Sequence, residues 1–232
     1  MVLIEVPSQW CASMKSLVFL IALVAGLAIN GFNAQAMRYD RIALVHDSKV
    51  LILARGHIDN GDTQRLLGFL IALPSSNRIA GLVLDSPGGG LVEAEALAGV
   101  IRRAAFPVFV PPGAQCSSAC FLLFAAAPHR YVAFDALVGV HRANENGKET
   151  SASKIATSAM AKDAAELGVP NDIVSKLVQT PPDRRAWLSR SDLVAMGASV
   201  VEGTRRTALT ESAEKAAEPM EIEAWLVKLT AP

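Results

Sequence analysis

An excess of charge of either sign is missing from this chain: its 232 residues carry 22 Lys plus Arg against 22 Asp plus Glu. There is no net field to attract a polyanion. The basic residues are scattered apart from pairs such as Arg102-Arg103 and Arg184-Arg185, so nucleic acid is not an expected partner. A long hydrophobic run is also missing, because the apolar stretch from Leu17 to Ile29 falls short of the roughly 20 residues that span a bilayer. The glycines at 88–90 are followed by no Lys-Ser/Thr pair and form no G-x-G-x-x-G, which excludes the usual nucleotide loops. Cysteine and histidine are scarce, at three and four. The spacing of Cys116, Cys120, His129 and His141 fits no usual zinc pattern. No metal or cofactor is expected.

What the chain does have begins at its N-terminus. Lys15 precedes the apolar run, and Ala34-Gln35-Ala36 follows it as a small-x-small site. A basic start, a core of this length and an A-x-A end describe a cleavable secretory signal over residues 1–36. Residues 1–13 carry no positive charge, which leaves Met14 as a candidate start. An uncleaved membrane anchor is the alternative, and it is the only route by which a membrane would become a partner. Either way the remainder is expected outside the cytoplasm, periplasmic or secreted. Cys11 lies in the leader, leaving Cys116 and Cys120 for an oxidising compartment, where a bridge or two buried thiols are both open.

About half of the residues are apolar, enough to bury the core of one α/β domain. That domain is expected over 37–203, with a polar Ala/Glu/Thr-rich tail over 204–232. Strands are read at 42–45, 50–54, 79–84, 107–110, 131–134 and 137–140. Helices are read from a cap at Asp59 or Asp62 to about Leu73, from Leu91 to about Ala105, and over 117–127, 151–167 and 171–179. The first of these helices shows Leu66, Leu67, Leu70 and Ile71 as its apolar face. A last short helix follows the cap around Leu188–Asp192 and ends at Gly197. Strands alternating with helices at this spacing imply a mostly parallel sheet with helical crossovers.

Three segments carry candidate chemistry. Leu84-Asp85-Ser86-Pro87-Gly88-Gly89-Gly90 ends a strand in glycines, which permit a sharp turn and close approach of a ligand to the backbone. The following helix directs its free N–H groups at that spot, suiting an anion or an oxyanion. Taken alone, such a turn is more often structural. Gln115-Cys116-Ser117-Ser118-Ala119-Cys120 places two serines at a helix start, where one can cap and the other attack. His141 closes the strand Leu137-Val138-Gly139-Val140 at a sheet end. A serine needs a neighbouring base to act at neutral pH, and His141 is better placed for this than His46, His57 or His129.

Together these segments resemble the proteolytic subunit of the Clp protease and its exported relatives in the Clp/crotonase-like superfamily. The resemblance rests on Gly56-His57-Ile58-Asp59, Ser86-Pro87-Gly88-Gly89, Ser118-Ala119 with Phe121-Leu122-Leu123, and Val138-Gly139-Val140-His141. It runs from Lys49 to Ala143, with a weaker echo through Trp187-Leu188-Ser189 to Gly197. It implies an α/β spiral of parallel strands with crossover helices, built from ββα units. Ser118 would then be the nucleophile, His141 the general base, and Gly88 and Ala119 the oxyanion-hole donors, with Gly89 shaping the turn. A gapless match of Phe121-Leu122-Leu123 moves the nucleophile to Ser117 instead. The family's third member, an acid, falls in register on Arg185. Asp183 is the nearest substitute and Asp172 a further one; a dyad and a loss of catalysis are the other outcomes.

The expected function is that of an exported serine-type endopeptidase, a hydrolase acting on peptides or loosely folded proteins through an acyl-enzyme. A catalytically inactive scaffold of the same fold is the second reading, and a crotonase-like acyl-CoA enzyme the third. The family also implies a homo-oligomer, a trimer or ring.

Overall fold

A computed structural model describes residues 36–44 and 48–201. The expected leader up to residue 35, the tail at 204–232 and His46 lie outside the described residues. No described helix is long and apolar enough to cross a membrane.

The main sheet has six strands: β1 (Arg38–Ala43), β2 (Lys49–Arg55), β3 (Arg78–Asp85), β4 (Val108–Val110), β6 (Arg130–Ala133) and β9 (Ala198–Val201). They lie in that spatial order, parallel except for the antiparallel edge pair β1–β2. The runs Val50-Leu51-Ile52-Leu53 and Leu82-Val83-Leu84 are buried throughout. Continuous apolar runs of this kind suit inner parallel strands covered on both faces. A smaller sheet contains β5 (Gln115–Ser117), β7 (Leu137–Val140) and β8 (Ala186–Trp187), with β5–β7 parallel and β7–β8 antiparallel. The parallel bridges Ile58–Gly89 and Ser86–Cys116 extend the same layer backwards through the chain. Each pass of the chain therefore gives one strand to the main sheet and a short extended segment to the second layer. This is the α/β spiral that the motifs implied.

The helices are α1 (Asp62–Ala72), α2 (Leu91–Ala104), α3 (Cys120–Ala126), α4 (Ser151–Glu166), α5 (Asn171–Gln179) and α6 (Arg190–Ala195). Every residue of α3 is buried, as expected of a helix apolar all round. Its C-terminal carbonyls are satisfied by Arg130, which donates to Phe124 O at 3.0 Å and also to Ala125 O. The same guanidinium donates to Met196 O at 2.9 Å, so one cation closes the ends of α3 and α6.

Three local expectations change. The first helix is capped by neither Asp59 nor Asp62: its N-cap is Gly61, and Glu93 on α2 accepts from Gly61 N–H at 3.1 Å and Thr63 N–H at 2.6 Å. A carboxylate from a neighbouring helix thus does what a local side chain was expected to do. On that helix Leu66 is buried but Leu67 and Ile71 are 43% and 84% exposed, so the apolar face is narrower than its leucines suggest. The segment 117–127 does not begin as a helix. Gln115–Ser117 pairs as a strand, and the helix starts only at Cys120. β5, β8 and β9, two to four residues long, have no counterpart in the expected strands.

Candidate active site

The three motif segments meet at the end of the second layer. Ser86 N–H donates to Gln115 O at 2.7 Å, and Ser117 N–H returns a bond to Ser86 O at 3.1 Å. One strand further on, Ser117 stands opposite Gly139, and Ser118 N–H donates to Gly139 O at 3.0 Å. A ladder that pairs Ser117 with Gly139 carries Ser118 and His141 to the same end of the same small sheet. Backbone pairing, which sequence spacing does not encode, brings the glycine turn, the serine pair and the histidine together.

The two serines occupy different environments. Ser117 is 0% exposed, and its hydroxyl donates to Pro87 O at 3.1 Å, tying β5 to the glycine turn. Ser118 is partly exposed and has a φ of 58°, left-handed backbone that a side-chain-bearing residue adopts at a cost of about 1–2 kcal/mol. Strained backbone of this kind gathers at functional sites when its surroundings over-determine it. Here the ladder bond to Gly139 holds one side, and Phe121 N–H donating to Ser118 O at 2.9 Å holds the other. Cys116 and Cys120 flank the turn, with sulfurs joined as a disulfide and Cα atoms 5.2 Å apart. The elbow therefore lies inside a closed covalent ring.

Gly88 and Gly89 face this elbow from the other side. Gly88 has φ +99°, and a Cβ there would lie 2.5 Å from Ser117 O and 2.7 Å from Ser118 Cβ. Gly89 has φ +152°, and a Cβ would lie 2.1 Å from Ile58 O and 2.8 Å from His57 Cε1. Only glycine fits either place. The Gly88 N–H donates to the buried Ser86 hydroxyl at 3.1 Å, so it is engaged within the turn and must be shared or released to serve an oxyanion. Ser86 and His57 are neighbours of the site to which the sequence reading gave no role. Ala119 is buried between the elbow and α3 as its N-cap.

The match of these elements to one family is extensive. The profile of the Clp protease family covers residues 34–191. The chain belongs to the Clp protease family. Among solved structures, a point variant of ClpP1 from Listeria monocytogenes aligns with a TM-score of 0.50 at 20% identity, covering 66% of this chain and 92% of that one. The unaltered Listeria monocytogenes ClpP1 aligns with a TM-score of 0.50 at 18% identity, over 66% and 91% of the two chains. A membrane-bound stomatin-specific protease reaches 0.47 at 17% identity, over 65% and 77%. At these identities the likeness concerns the fold. No curated protein matches the sequence.

The position where the resemblance implied an acid is occupied by Arg185. In the β7–β8 ladder Gly139 faces Trp187 and Val140 faces Ala186; His141 and Arg185 are the next residues of the two strands, just beyond the paired positions. The Trp187 ring lies directly on Gly139, where a Cβ would come within 2.5 Å of Cε3. An alternation continued past the end of the ladder would put His141 and Arg185 on that face, and the Arg185 charge does act on the His141 ring. His141 is 2% exposed, and neither ring nitrogen has a hydrogen-bond partner among the described residues. Asp183 and Asp172 are both exposed, and neither reaches His141. The histidine–acid bond expected from Asp183 is not formed: both His141 ring nitrogens lack a partner, and Asp183 stands exposed in the turn before β8.

These surroundings set the charge of the imidazole. Burial disfavours the protonated ring, the Arg185 guanidinium repels it further, and the Arg142 carbonyl offsets a little of both, so the pKa is lowered to about 4. His141 is thus neutral at neutral pH, as a general base must be. In the unfolded chain a histidine titrates near 6.5, so between these values the unfolded state binds the extra proton. The neutral ring's contribution to stability is then fully present above about 6.5 and lost as pH falls towards 4, by up to roughly 3 kcal/mol. We expect the Tm to fall on acidification across this window and the slope to flatten in His141→Gln. Equal slopes would place the protonation elsewhere.

Proposed function

We propose that this protein is an exported serine peptidase in which Ser118 attacks and His141 serves as base, working as a dyad without an acid from its own chain. The observation that carries this reading is the contrast within the elbow: one serine buried and bonded, the next strained, held and partly exposed. Membership of a protease family supports the reaction class.

In this mechanism the Ser118 hydroxyl proton passes to a His141 ring nitrogen as Oγ bonds to the scissile carbonyl carbon. The carbonyl electron pair moves onto oxygen, which the N–H groups of Ala119 and Gly88 would stabilise, the latter once it leaves Ser86 Oγ. Collapse of the tetrahedral intermediate breaks the C–N bond, and the leaving amine takes the proton from His141. Water, deprotonated by the same imidazole, then hydrolyses the acyl-enzyme and restores Ser118. The substrates in this reading are peptides and loosely folded segments, and the low basicity of His141 is expected to slow the acylation step. The leader at 1–36 and the Cys116–Cys120 bridge support export to an oxidising compartment. By family analogy the protein works as a homo-oligomer.

The test is fluorophosphonate treatment of the folded protein followed by peptide mapping. An adduct on Ser118 is the expected result. Folded protein that takes up no probe would leave the inactive scaffold as the better reading, which the missing acid already motivates.

A further inference from the structure

A buried imidazole with two unpartnered nitrogens beside an uncompensated guanidinium is half of a binding site. Arg185 is exposed and gives Nη1 to the Arg184 carbonyl at 3.2 Å. No carboxylate pairs with it among the described residues. The other nearby cation, Arg142, is largely committed: its Nη2 lies 3.3 Å from Glu149 and its Nη1 donates to Val178 O, and only its buried Nε has no partner among the described residues. Arg185 is therefore the cation near His141 whose free donors are exposed. A guanidinium presents paired N–H groups that match a carboxylate, and a neutral imidazole offers one N–H. A planar anion lying between them would satisfy both.

We propose that the site takes a carboxylate of its substrate between Arg185 and His141, so that the peptide itself supplies the third group of the triad. This rests on the peptidase reading above. It makes Arg185 a specificity-determining residue, and the substrates acidic peptides or peptides with a free C-terminal carboxylate near the cleaved bond. The bound carboxylate accepts from the His141 N–H, holds the ring in one tautomer and stabilises the imidazolium without itself taking the proton, as the acid of a triad does. It also cancels the Arg185 charge that opposes protonation of His141. Cleavage is thus slow unless the right substrate is bound.

Acetate at constant ionic strength is the probe. It should accelerate fluorophosphonate labelling of Ser118 saturably, by roughly tenfold or more, and raise the His141 pKa by about 1–3 units as an added opposite charge does, read by NMR titration. Arg185→Ala should lose both responses. Arg185→Asp should label faster than the native protein without acetate and ignore added acetate. A Ser118 adduct that forms at the same rate with and without acetate overturns the carboxylate site and leaves the Ser-His reading standing. No adduct under any condition sinks both. For substrates, C-terminally amidated peptides with Asp or Glu are compared with neutral peptides bearing a free C-terminus. Faster cleavage of one class than of neutral amidated peptides, lost in Arg185→Ala, supports the proposal and identifies the source of the carboxylate. Equal cleavage of all three overturns it.

Discussion

Ser118→Ala is expected to remove peptidase activity and probe labelling by on the order of 10⁴-fold or more, the scale on which losing a nucleophile is felt. Its Tm should change little or rise. The alanine keeps the positive φ of 58° but loses a hydroxyl that is partly exposed and ties down no other segment. Ser117→Ala should do the reverse. Its side chain is fully buried and its hydroxyl is bonded to Pro87 O at 3.1 Å; deleting it removes the tie between β5 and the glycine turn, at about 0.5–1.5 kcal/mol. Labelling should persist, slowed only as far as the glycine turn loosens. Adduct mapping and thermal unfolding of the two variants separate these roles. Loss of labelling in folded Ser117→Ala, with labelling retained in Ser118→Ala, would assign the nucleophile to Ser117.

The second large effect concerns the glycine turn. Gly88→Ala would drive a methyl group to 2.5 Å from Ser117 O and 2.9 Å from Ala119 N, against backbone that cannot rotate away. The elbow must shift by an appreciable fraction of an ångström, and a displacement near 1 Å costs about 100-fold in rate. We expect a loss of that order or greater in labelling rate, with the protein still folded. Gly89→Ala meets the Ile58 carbonyl at 2.1 Å and the Ile58 amide at 2.7 Å. It lies where Ile58 N–H donates to Gly88 O and Gly90 N–H to Ile58 O, each at 2.8 Å. Two backbone bonds must break or stretch, so its principal effect should be on folding, seen as low soluble yield or a markedly depressed Tm. A Gly88→Ala protein that labels at the native rate would show that the turn and the elbow move independently.

The contrast between Ser117 and Ser118 also shows what a sequence can carry. Two adjacent serines at a strand-to-helix junction are equivalent by composition, and aligning the following Phe-Leu-Leu favours one while aligning Ser-Ala favours the other. What separates them is the pleat. The β5 ladder turns Ser117 inward, opposite Gly139, and the chain must then reverse through a left-handed residue to enter α3. The cysteines behaved alike: two thiols four apart permitted a bridge or two buried groups, and only the strand-then-turn geometry brings their Cα atoms to 5.2 Å.

By itself the sequence determined the alternation of strands and helices, the glycine turn after a buried strand, and the order of turn, serine pair and histidine. These are local patterns of period, turn chemistry and spacing, and they survive without tertiary context. The third triad position was legible only as a mismatch, Arg185 where an acid was expected. The tertiary structure decided what that mismatch means. An antiparallel pairing of Gly139 with Trp187 and Val140 with Ala186 ends one position short of His141 and Arg185 and leaves Asp183 exposed. Burial then holds the ring neutral with both nitrogens unpartnered. Register and desolvation are properties of the packed chain, because they depend on which distant segments meet, and no local stretch of sequence contains them.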